Sequence, residues 1–583
     1  MASLSFSFVP KSSLHPQNNH HRATTTALKV SSLLIDDATT TTKPLKTTTP
    51  PPSIITRTAP PPQPARPPPS LAAAILNSCD QFINNFIDPP LKPSLDPRHV
   101  LSGNSAPVAE LPPTACQVVE GVLPPCLDGA YIRNGPNPHF LPRGPYHLYD
   151  GDGMLHAVTI SGGEATLCSR YVETHKYKLE REIGFPVVPS LFSSFNGLPA
   201  AVARGLVFAA RLLTRQVDLT NGVGSANTSV ALIGAKLYAL GESDLPYTVK
   251  IDGRGEIHTL GRHDFGGKLA VRMTAHPKID PRTGEAFAFR YSPLPPFVTI
   301  FRINAEGDKQ PDLPIFSMKS PALVHDFAIT ETYAVFSEIQ IGINPSAIVA
   351  GGSPVRADLG KVPRIGLIPR YAVDESEMRW FEVPGFNPIH AISAWDEDGG
   401  DAVVMVAANV LSVEHMMERM DLIHSSIEKV RIDLKTGTVA RHPLSAANLD
   451  FGVINPAYVA KKHRYIYATV ADPAPKVTGL VKLDMTVSEN GRQDCVVASR
   501  MFGSGCFGGE PFFVARQHNN LNADEDDGYI VTIVHDENTK ESRFIVMDAT
   551  STDLDVVAVV RLPRRVPYGF HGLFVSKSDL DKL

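Results

Sequence analysis

The chain has 583 residues, of which 43% are hydrophobic and 20% charged, the balance of an ordinary globular protein. Its formal net charge of −5 gives no electrostatic support for binding a nucleic acid. The six cysteines form no CxxC motif and no paired spacing, which predicts reduced thiols rather than a disulfide framework. No run of about 18 apolar residues is present, so we expect no membrane-spanning helix.

Residues 1–69 differ in composition from the rest of the chain. They are rich in Ser, Thr and Pro, and Asp36 and Asp37 are their only acidic residues. This composition is typical of an organellar transit peptide. Because the stretch TTTTKPLKTTTPPPS cannot bury a core, we expect the segment to be disordered. A disordered tail without a targeting role is the alternative.

The next segment, residues 70–90, is predicted to be an amphipathic helix. Ser70 follows a proline run and can cap the helix, while Pro89 and Pro90 end it. The rest of the chain, residues 70–583, is expected to form a single domain that begins with this helix.

A second helix is predicted within residues 186–218, a segment that we expect to contact a membrane. At the helical period, one face carries Arg204, Arg211 and Arg215, and the opposite face carries Val202, Leu206, Ala209 and Leu213. A basic stripe opposite an apolar stripe fits a helix that lies in a membrane interface. We therefore predict membrane contact by Val202, Leu206 and Leu213, and we expect Arg204, Arg211 and Arg215 to meet the lipid head groups. A lid packed on the rest of the domain is the alternative.

The remaining chain consists of short strand-like runs in which one pattern recurs. An apolar strand ends in Asp or Asn and a turn follows, at Asp252, Asn304, Asp374, Asp433, Asp484 and Asp548. These positions are roughly 50–70 residues apart, the size of one blade of a β-propeller. The pattern predicts an all-β protein built as a propeller, with a large β-sandwich as the alternative.

Four histidines lie in separate short motifs in or beside strand-like runs: His276 in RMTAHPKID, His325 in LVHDFAITE, His390 in GFNPIHAIS and His571 in PYGFHGLFV. Neutral imidazole is a ligand for iron, zinc, copper or nickel. The first two separations are each close to one repeat, and the third is about three repeats. Inner strands of a propeller could therefore bring all four to the axis, although any one of them alone could be a core residue.

Three acidic residues in strand-rich contexts could support such a site. A metal-bound imidazole usually donates its other N–H to a carboxylate or a carbonyl, which fixes the orientation of the ring. The candidates are Glu242 in GESDLPY, Asp450 before FGVINPAYV, and Glu510 in GGEPFF. Taken singly, an acid of this kind is more often a surface or turn residue.

Several longer motifs closely resemble those of the carotenoid cleavage oxygenases: YIRNGPNP, HLYDGDGMLH, GESDLPY, HDFAITE, GGEPFF and PYGFHG. The resemblance runs from about Tyr131 to the C-terminus. The transit-like leader and the motif LDFGVINPAYVAKKHRYIYA are most similar to the plant type-four carotenoid cleavage dioxygenases. This resemblance makes a plastid the expected destination of residues 1–69, with the plastoglobule as a possible site within it.

The resemblance implies a seven-bladed propeller with a helical cap and one iron(II) per chain. The iron ligands implied are His276, His325, His390 and His571, and the acids that hold the ligand imidazoles are Glu242, Asp450 and Glu510. Many relatives carry Glu where this chain has Asp450. We therefore expect its shorter side chain to reach the imidazole through a water molecule.

The resemblance also implies the reaction, in which O2 splits one C=C bond of a carotenoid into two carbonyl products. No catalytic residue beyond the iron ligands is expected. The subgroup implies cleavage at 9,10 (9′,10′), giving an ionone-type volatile and an apocarotenal, with 7,8 (7′,8′) as the alternative bond. We expect a monomer that binds peripherally to a plastid membrane or plastoglobule. A zinc or calcium propeller hydrolase and a non-catalytic carotenoid-binding propeller are the alternatives of other classes.

Overall fold

The computed structural model describes residues 71–583 apart from 190–191, 193–194, 345, 350–352, 490–493, 518–519 and 521. The predicted transit peptide, residues 1–69, and the predicted helix cap Ser70 lie outside the described residues. The division of the chain into a leader and a single domain from residue 70 therefore stays a prediction.

The described residues contain 33 strands. In chain order they are β1 Leu111–Ala115, β2 Gln117–Gly121, β3 Gly129–Pro136, β4 Gly153–Ser161, β5 Glu164–Tyr171, β6 Ser229–Ile233, β7 Lys236–Leu240, β8 Tyr247–Ile251, β9 Ile257–Arg262, β10 Lys278–Ile279, β11 Ala286–Tyr291, β12 Val298–Ile303, β13 Leu313–Ile315, β14 Phe327–Ile329, β15 Tyr333–Glu338, β16 Ile341–Ile343, β17 Val355–Ala357, β18 Arg364–Pro369, β19 Arg379–Glu382, β20 Pro388–Glu397, β21 Ala402–Val410, β22 Ser425–Asp433, β23 Val439–Pro443, β24 Leu449–Val453, β25 Tyr465–Val470, β26 Gly479–Asp484, β27 Val496–Met501, β28 Cys506–Phe507, β29 Phe512–Ala515, β30 Gly528–Asp536, β31 Glu541–Asp548, β32 Val556–Arg561 and β33 Gly572–Ser576.

Thirty-one of these strands form seven antiparallel sheets, the blades of a β-propeller, and β16 and β17 form a separate two-stranded sheet. Blade 1 is β1-β5-β4-β3-β33, blade 2 is β6-β7-β8-β9, and blade 3 is β10-β11-β12-β13. Blade 4 is β14-β15-β18-β19, blade 5 is β20-β21-β22-β23, and blade 6 is β24-β25-β26-β27. Blade 7 is β2-β32-β31-β30-β28, with β29 also paired to β30. The predicted seven-bladed propeller is confirmed, and the sandwich alternative is wrong.

The recurring Asp or Asn marks the same place in six blades. Each residue lies at the end of, or shortly after, a strand that pairs with the next strand outward, namely β8, β12, β18, β22, β26 and β31. In blade 5, for example, the Asp433 carboxylate accepts backbone N–H groups from Lys435 and Thr436 at 3.0 and 2.8 Å. Such side-chain hydrogen bonds stabilise a turn. The repeat in the sequence is therefore a repeat of turn chemistry.

Helices are few among the described residues, and the longer ones precede blade 2. They are α1 Leu71–Phe82, α2 Pro97–Val100, α3 His175–Ile183, α4 Gly197–Leu213, α5 Ser346–Val349, α6 Thr486–Glu489 and α7 Lys577–Leu580. A π-helical turn at Ile83–Ile87 continues α1 almost to Pro89. Both predicted helices are thus present, and α4 packs against α1. None of the helices in the described part of the chain is long and apolar enough to cross a membrane.

A buried ion pair joins blades 3 and 4, which carry two of the candidate ligands. Arg370, which follows β18, donates to the Asp280 carboxylate beyond β10 at 2.7 Å. Arg370 also donates to the Thr330 carbonyl at 2.9 Å. Both charged side chains are buried, so each depends on the other for compensation.

We predict that Arg370→Leu lowers the free energy of unfolding by about 3–5 kcal/mol, because it leaves the Asp280 carboxylate buried without its partner. Arg282→Leu is the matched control, since Arg282 pairs with Glu331 at the exposed surface. The control should change the free energy of unfolding by less than about 1 kcal/mol. Thermal denaturation of both variants tests this, and equal stability of the two would contradict it.

Candidate metal centre

The four histidines of the sequence motifs converge in the structure. His276 precedes β10, His325 precedes β14, His390 lies within β20 and His571 precedes β33. They therefore come from blades 3, 4, 5 and 1, and the repeat-like separations correctly predicted their distribution. One nitrogen from each ring lies within 4.8 Å of the corresponding nitrogen of every other ring. This is a group of four nitrogen donors suited to one metal ion.

The three predicted acids each contact one of these rings. The Nδ1 atom of His325 pairs with the Glu242 carboxylate. The Nδ1 atoms of His390 and His571 each lie 2.9 Å from a carboxylate oxygen, of Asp450 and Glu510 respectively. Glu510 also accepts the backbone N–H of Gly572 at 2.9 Å, which fixes its orientation. In the described structure His276 makes no comparable carboxylate contact.

These contacts determine which nitrogen faces the centre. An imidazole that donates from Nδ1 to a carboxylate presents the lone pair of Nε2 as a metal ligand. The Nε2 atoms of His276 and His325 are 3.0 Å apart. Two adjacent ligands at metal–nitrogen distances of about 2.1 Å have a separation of about 3 Å. The nitrogen geometry therefore fits a transition metal, and the absence of oxygen ligands from the cluster disfavours calcium.

The expectation that Asp450 needs a water molecule to reach an imidazole is wrong. Its carboxylate contacts His390 directly at 2.9 Å. Asp450 lies in β24, whose pairing with β25 is irregular between Asp450 and Val453. The next residue, Phe451, has a left-handed backbone with φ of 47°. This local distortion of the strand accompanies the direct contact made by the shorter side chain.

Burial and neighbouring charges set the protonation of the cluster. Burial lowers the pKa of His276 well below its usual value, and the surrounding imidazoles lower the pKa further. Burial has the same effect on His390, but the nearby carboxylates of Asp450, Asp326 and Glu510 together outweigh it and raise the pKa of His390. Burial alone would raise the pKa of Asp450, yet His390, the backbone N–H of Phe451 and His571 together outweigh burial and lower it. The chain thus favours a neutral His276 and a proton held between His390 and Asp450.

An aromatic wall beside the cluster was not predicted. The ring of Phe451 lies over His390 and His571, with centroid distances of 4.9 and 5.5 Å. The ring centroid of Tyr149 lies 5.9 Å from that of Phe570 and 5.6 Å from that of Phe192. The sequence carried a signal for two of these rings, because Phe451 follows Asp450 and Phe570 precedes His571. Phe192 lies between α3 and α4, so the helical cap reaches the wall.

Tyr291 is a second contact that the sequence motifs did not indicate. Its hydroxyl donates to Oε2 of Glu242 at 2.8 Å, whereas His325 pairs with Oε1 of the same carboxylate. Tyr291 ends β11 of blade 3, 49 residues from Glu242. Nothing in the local sequence marks this pairing, since it depends on how blades 2 and 3 pack.

The predicted membrane-contact residues lie on an exposed face of α4. Val202, Leu206 and Leu213 are 50%, 67% and 86% exposed. Large apolar residues of α1 and the turn after it are exposed as well: Leu71, Ile75, Phe82 and Phe86. Contact with lipid stays a prediction, but the exposed apolar face that it requires is present.

The expectation that Arg204 and Arg211 meet lipid head groups is wrong. Arg204 pairs with Asp88 and donates to Asn84 at 2.6 Å. Arg211 is only 2% exposed, and its guanidinium lies 3.9 Å from the Asp80 carboxylate. These arginines face acids of α1 and of the segment after it because a buried guanidinium requires a compensating charge. Arg215, at the end of α4, is exposed.

The fold and the nitrogen-rich centre define a propeller protein with a four-histidine group that could hold a transition metal. A family model described as "Retinal pigment epithelial membrane protein" matches residues 105–576. The Arabidopsis thaliana protein named "Probable carotenoid cleavage dioxygenase 4, chloroplastic" is 63% identical over 88% of this chain and 87% of its own length. The chain belongs to this family of carotenoid cleavage oxygenases, as the sequence motifs predicted.

Other relatives carry different functional names. An Oryza sativa subsp. japonica protein, 59% identical over 88% of this chain and 81% of its own length, is named "9-cis-epoxycarotenoid dioxygenase NCED1, chloroplastic". A Crocus sativus protein, 54% identical over 63% of this chain and 99% of its own length, is named "Zeaxanthin 7,8(7',8')-cleavage dioxygenase, chromoplastic". The crystal structure of a cobalt-substituted Synechocystis apocarotenoid oxygenase superposes with a TM-score of 0.67 at 25% identity, covering 83% of this chain and all of the other.

We predict that His325→Ala removes most of the bound metal, because one of four converging nitrogen donors is lost. His258→Ala is the control, since His258 is exposed on blade 2 and lies outside the cluster. Metal analysis after reconstitution with iron(II) under anaerobic conditions measures the effect. Full iron content in His325→Ala would show that the cluster is not the metal site.

We predict that Glu510→Gln and Asp450→Asn each weaken metal binding by roughly 10–100-fold, the usual cost of losing the partner of a ligand imidazole. The two effects should be similar, because both carboxylates contact their imidazole directly at 2.9 Å. Titration of the metal-free variants with cobalt(II) provides the comparison. An unchanged affinity in either variant would remove that acid from the site.

Proposed function

We propose that the protein is a non-haem iron(II) dioxygenase that uses O2 to cleave one C=C bond of a carotenoid into two carbonyl products. The observation that carries this proposal is the convergence of four imidazole nitrogens, three of them on rings held by carboxylates. His276, His325, His390 and His571 would hold one iron per chain. The names of the relatives support the choice of carotenoid and O2 as substrates.

The donor set suits this chemistry. Four neutral imidazoles leave the charge of a divalent ion uncompensated within its ligands and occupy at most four positions around it. Bound iron(II) would supply the activation of O2 in the positions that remain. Glu242, Asp450 and Glu510 would hold three rings in place and keep the ligand nitrogens free of protons. We assign no residue as a general acid or base.

The aromatic wall would position the substrate. A carotenoid is a long apolar polyene, and a site for it requires apolar walls with few polar groups. Phe451 covers two of the histidines, and Tyr149, Phe192 and Phe570 form a second aromatic group that is next to His571 through Phe570. These rings would place one double bond beside the metal, so their shape would influence which bond is cleaved.

The bond that we propose is 9,10 (9′,10′), which gives an ionone-type volatile and an apocarotenal. The support is the resemblance to the type-four subgroup, with which the Arabidopsis thaliana relative agrees in name. Cleavage at 7,8 (7′,8′) is the second candidate, because the Crocus sativus relative is named for that reaction.

Membrane association would give the enzyme access to its substrate, since a carotenoid is almost insoluble in water. The exposed apolar residues of α1 and α4 would enter the surface of a plastid membrane or a plastoglobule. The composition of residues 1–69 and the chloroplastic names of two relatives support import into a plastid. We expect the enzyme to act as a monomer.

We predict that the iron-loaded protein bleaches the polyene absorbance of a cyclic carotenoid in air and leaves it unchanged without O2. Mass spectrometry of the products from a small panel of carotenoids should give the carbonyl pair of 9,10 (9′,10′) cleavage. Products of 7,8 (7′,8′) cleavage would contradict the proposed position of cleavage but not the dioxygenase reaction. Binding without bleaching would favour a carotenoid-binding protein, and turnover with zinc but not iron would favour a hydrolase.

We predict that Leu206→Glu with Leu213→Glu releases the protein from vesicles of plastid lipids, because two carboxylates would enter the apolar interface. Cleavage of detergent-dispersed carotenoid should change much less, since both residues lie outside the metal cluster. Leu260→Glu with Val373→Glu is the matched control, because these residues are equally exposed but lie on blades 2 and 4. Co-sedimentation with the vesicles measures the binding. If the Leu206→Glu, Leu213→Glu variant pellets like the parent protein, the apolar face of α4 does not hold the protein on the membrane.

A further inference from the structure

A polar bridge links three of the strands that carry the histidines. The ammonium of Lys278 lies 2.8 Å from one carboxylate oxygen of Asp326 and donates to the backbone carbonyl of Ala391 at 3.1 Å. The other carboxylate oxygen of Asp326 accepts the backbone N–H of Ala391 at 2.8 Å. The three residues thus form a closed ring of contacts.

Each member of the bridge lies next to a histidine of the cluster. Lys278 is two residues after His276, while Asp326 and Ala391 directly follow His325 and His390. The strands concerned, β10, β14 and β20, belong to three different blades, so no β-ladder joins them. The relative positions of these histidines therefore depend on contacts between blades, and the bridge is such a contact.

The bridge is also a fixed pair of charges beside the centre. The side chains of Lys278 and Asp326 are only 20% and 4% exposed, so solvent screens them weakly. The carboxylate compensates an ammonium that would otherwise repel a divalent cation in the cluster. Loss of Asp326 alone should therefore weaken metal binding through charge, and loss of Lys278 should weaken it through geometry.

We propose that the Lys278–Asp326 pair is a positioning element that holds His276, His325 and His390 at metal-binding distances. This inference rests on the proposed metal role of the four histidines. Neither residue would contact the substrate or the metal. Their contribution would be to set the mutual distances of three ligands whose separation along the chain is 49 and 65 residues.

A second bridge of the same kind provides a control. Lys482 in β26 of blade 6 lies 2.6 Å from the Asp526 carboxylate and donates to the backbone carbonyl of Ala549 at 2.8 Å. Asp526 and Ala549 belong to blade 7, so this lysine also joins neighbouring blades through one carboxylate and one carbonyl. It is similarly buried, and no histidine of the cluster adjoins it.

The test is a titration of metal-free full-length variants with cobalt(II), followed by visible absorption and by thermal denaturation before metal is added. Lys278→Met and Asp326→Asn should each weaken cobalt(II) binding by roughly tenfold or more, the scale of lost support for a ligand. Their cobalt spectra should also change, because the ligand geometry changes. Lys482→Met should lower the denaturation temperature as Lys278→Met does, but leave affinity and spectrum unchanged.

Two further results define the pair. If the two residues act as a unit, the double variant Lys278→Met with Asp326→Asn should have the same cobalt(II) affinity as whichever single variant binds cobalt(II) less tightly, or a higher one. Additive losses would contradict a shared role. If Lys278→Met does not fold, the nearly isosteric Asp326→Asn carries the test alone, and parental affinity in that variant would overturn the inference.

The outcomes separate this inference from the proposed function. Parental affinity and spectrum in Lys278→Met and Asp326→Asn, with loss of binding in His325→Ala, would reject the positioning role alone. An equal loss of cobalt(II) affinity in Lys482→Met would show that the loss reflects lower stability of the fold and not positioning of the histidines. Failure of the parent chain to bind cobalt(II) or iron(II) would reject both proposals.

Discussion

The hydrogen-bonded ladder between the last strand, β33, and β3 is the interaction on which the four-histidine cluster depends. It pairs Gly572–Ser576 with residues 129–133, which lie more than 400 positions earlier in the chain. This ladder places His571 beside three histidines from the middle of the chain. The backbone N–H of His571 also donates to the Thr228 carbonyl at 3.3 Å, which ties the closing strand to the start of blade 2. Without ring closure the cluster would lack its fourth imidazole.

Each of the seven blades contributes one residue to the four-histidine cluster or to the acids that contact it. Blades 1, 3, 4 and 5 supply the four histidines, and blades 2, 6 and 7 supply the three acids that hold their rings. Each carboxylate therefore reaches an imidazole on another blade. Because carboxylate and ring come from different sheets, the orientation of the imidazoles depends on packing across the whole ring. A rigid scaffold with many inter-blade contacts suits this arrangement.

Local chemistry in the sequence was sufficient to predict much of this architecture. Asp252, Asp433 and Asp548 repeat because the turn into the next outward strand uses an Asp side chain to bind backbone N–H groups. The spacing of His276, His325 and His390 reflects one blade per step. These features can be recognised in the sequence because each of them repeats once per blade.

Contacts between blades could not be predicted in the same way. Tyr291 and Glu242 meet only through the packing of two sheets, and no local pattern marks the pair. The direct contact of Asp450 depends on an irregular strand and the left-handed backbone of Phe451. Arg204 and Arg211 have helical spacing that suits a head-group contact, yet they pair with Asp88 and Asp80 of the neighbouring segment instead. Periodicity locates a face of a helix but does not identify what covers it.

The most direct measurement of the central claim is the fate of oxygen atoms during turnover. The iron-loaded protein would react with a cyclic carotenoid under 18O2, and mass spectrometry would follow both carbonyl products at short reaction times. Our account predicts one labelled oxygen in each of the two products. Unlabelled products from both halves of the polyene would contradict dioxygenase chemistry at the four-histidine centre.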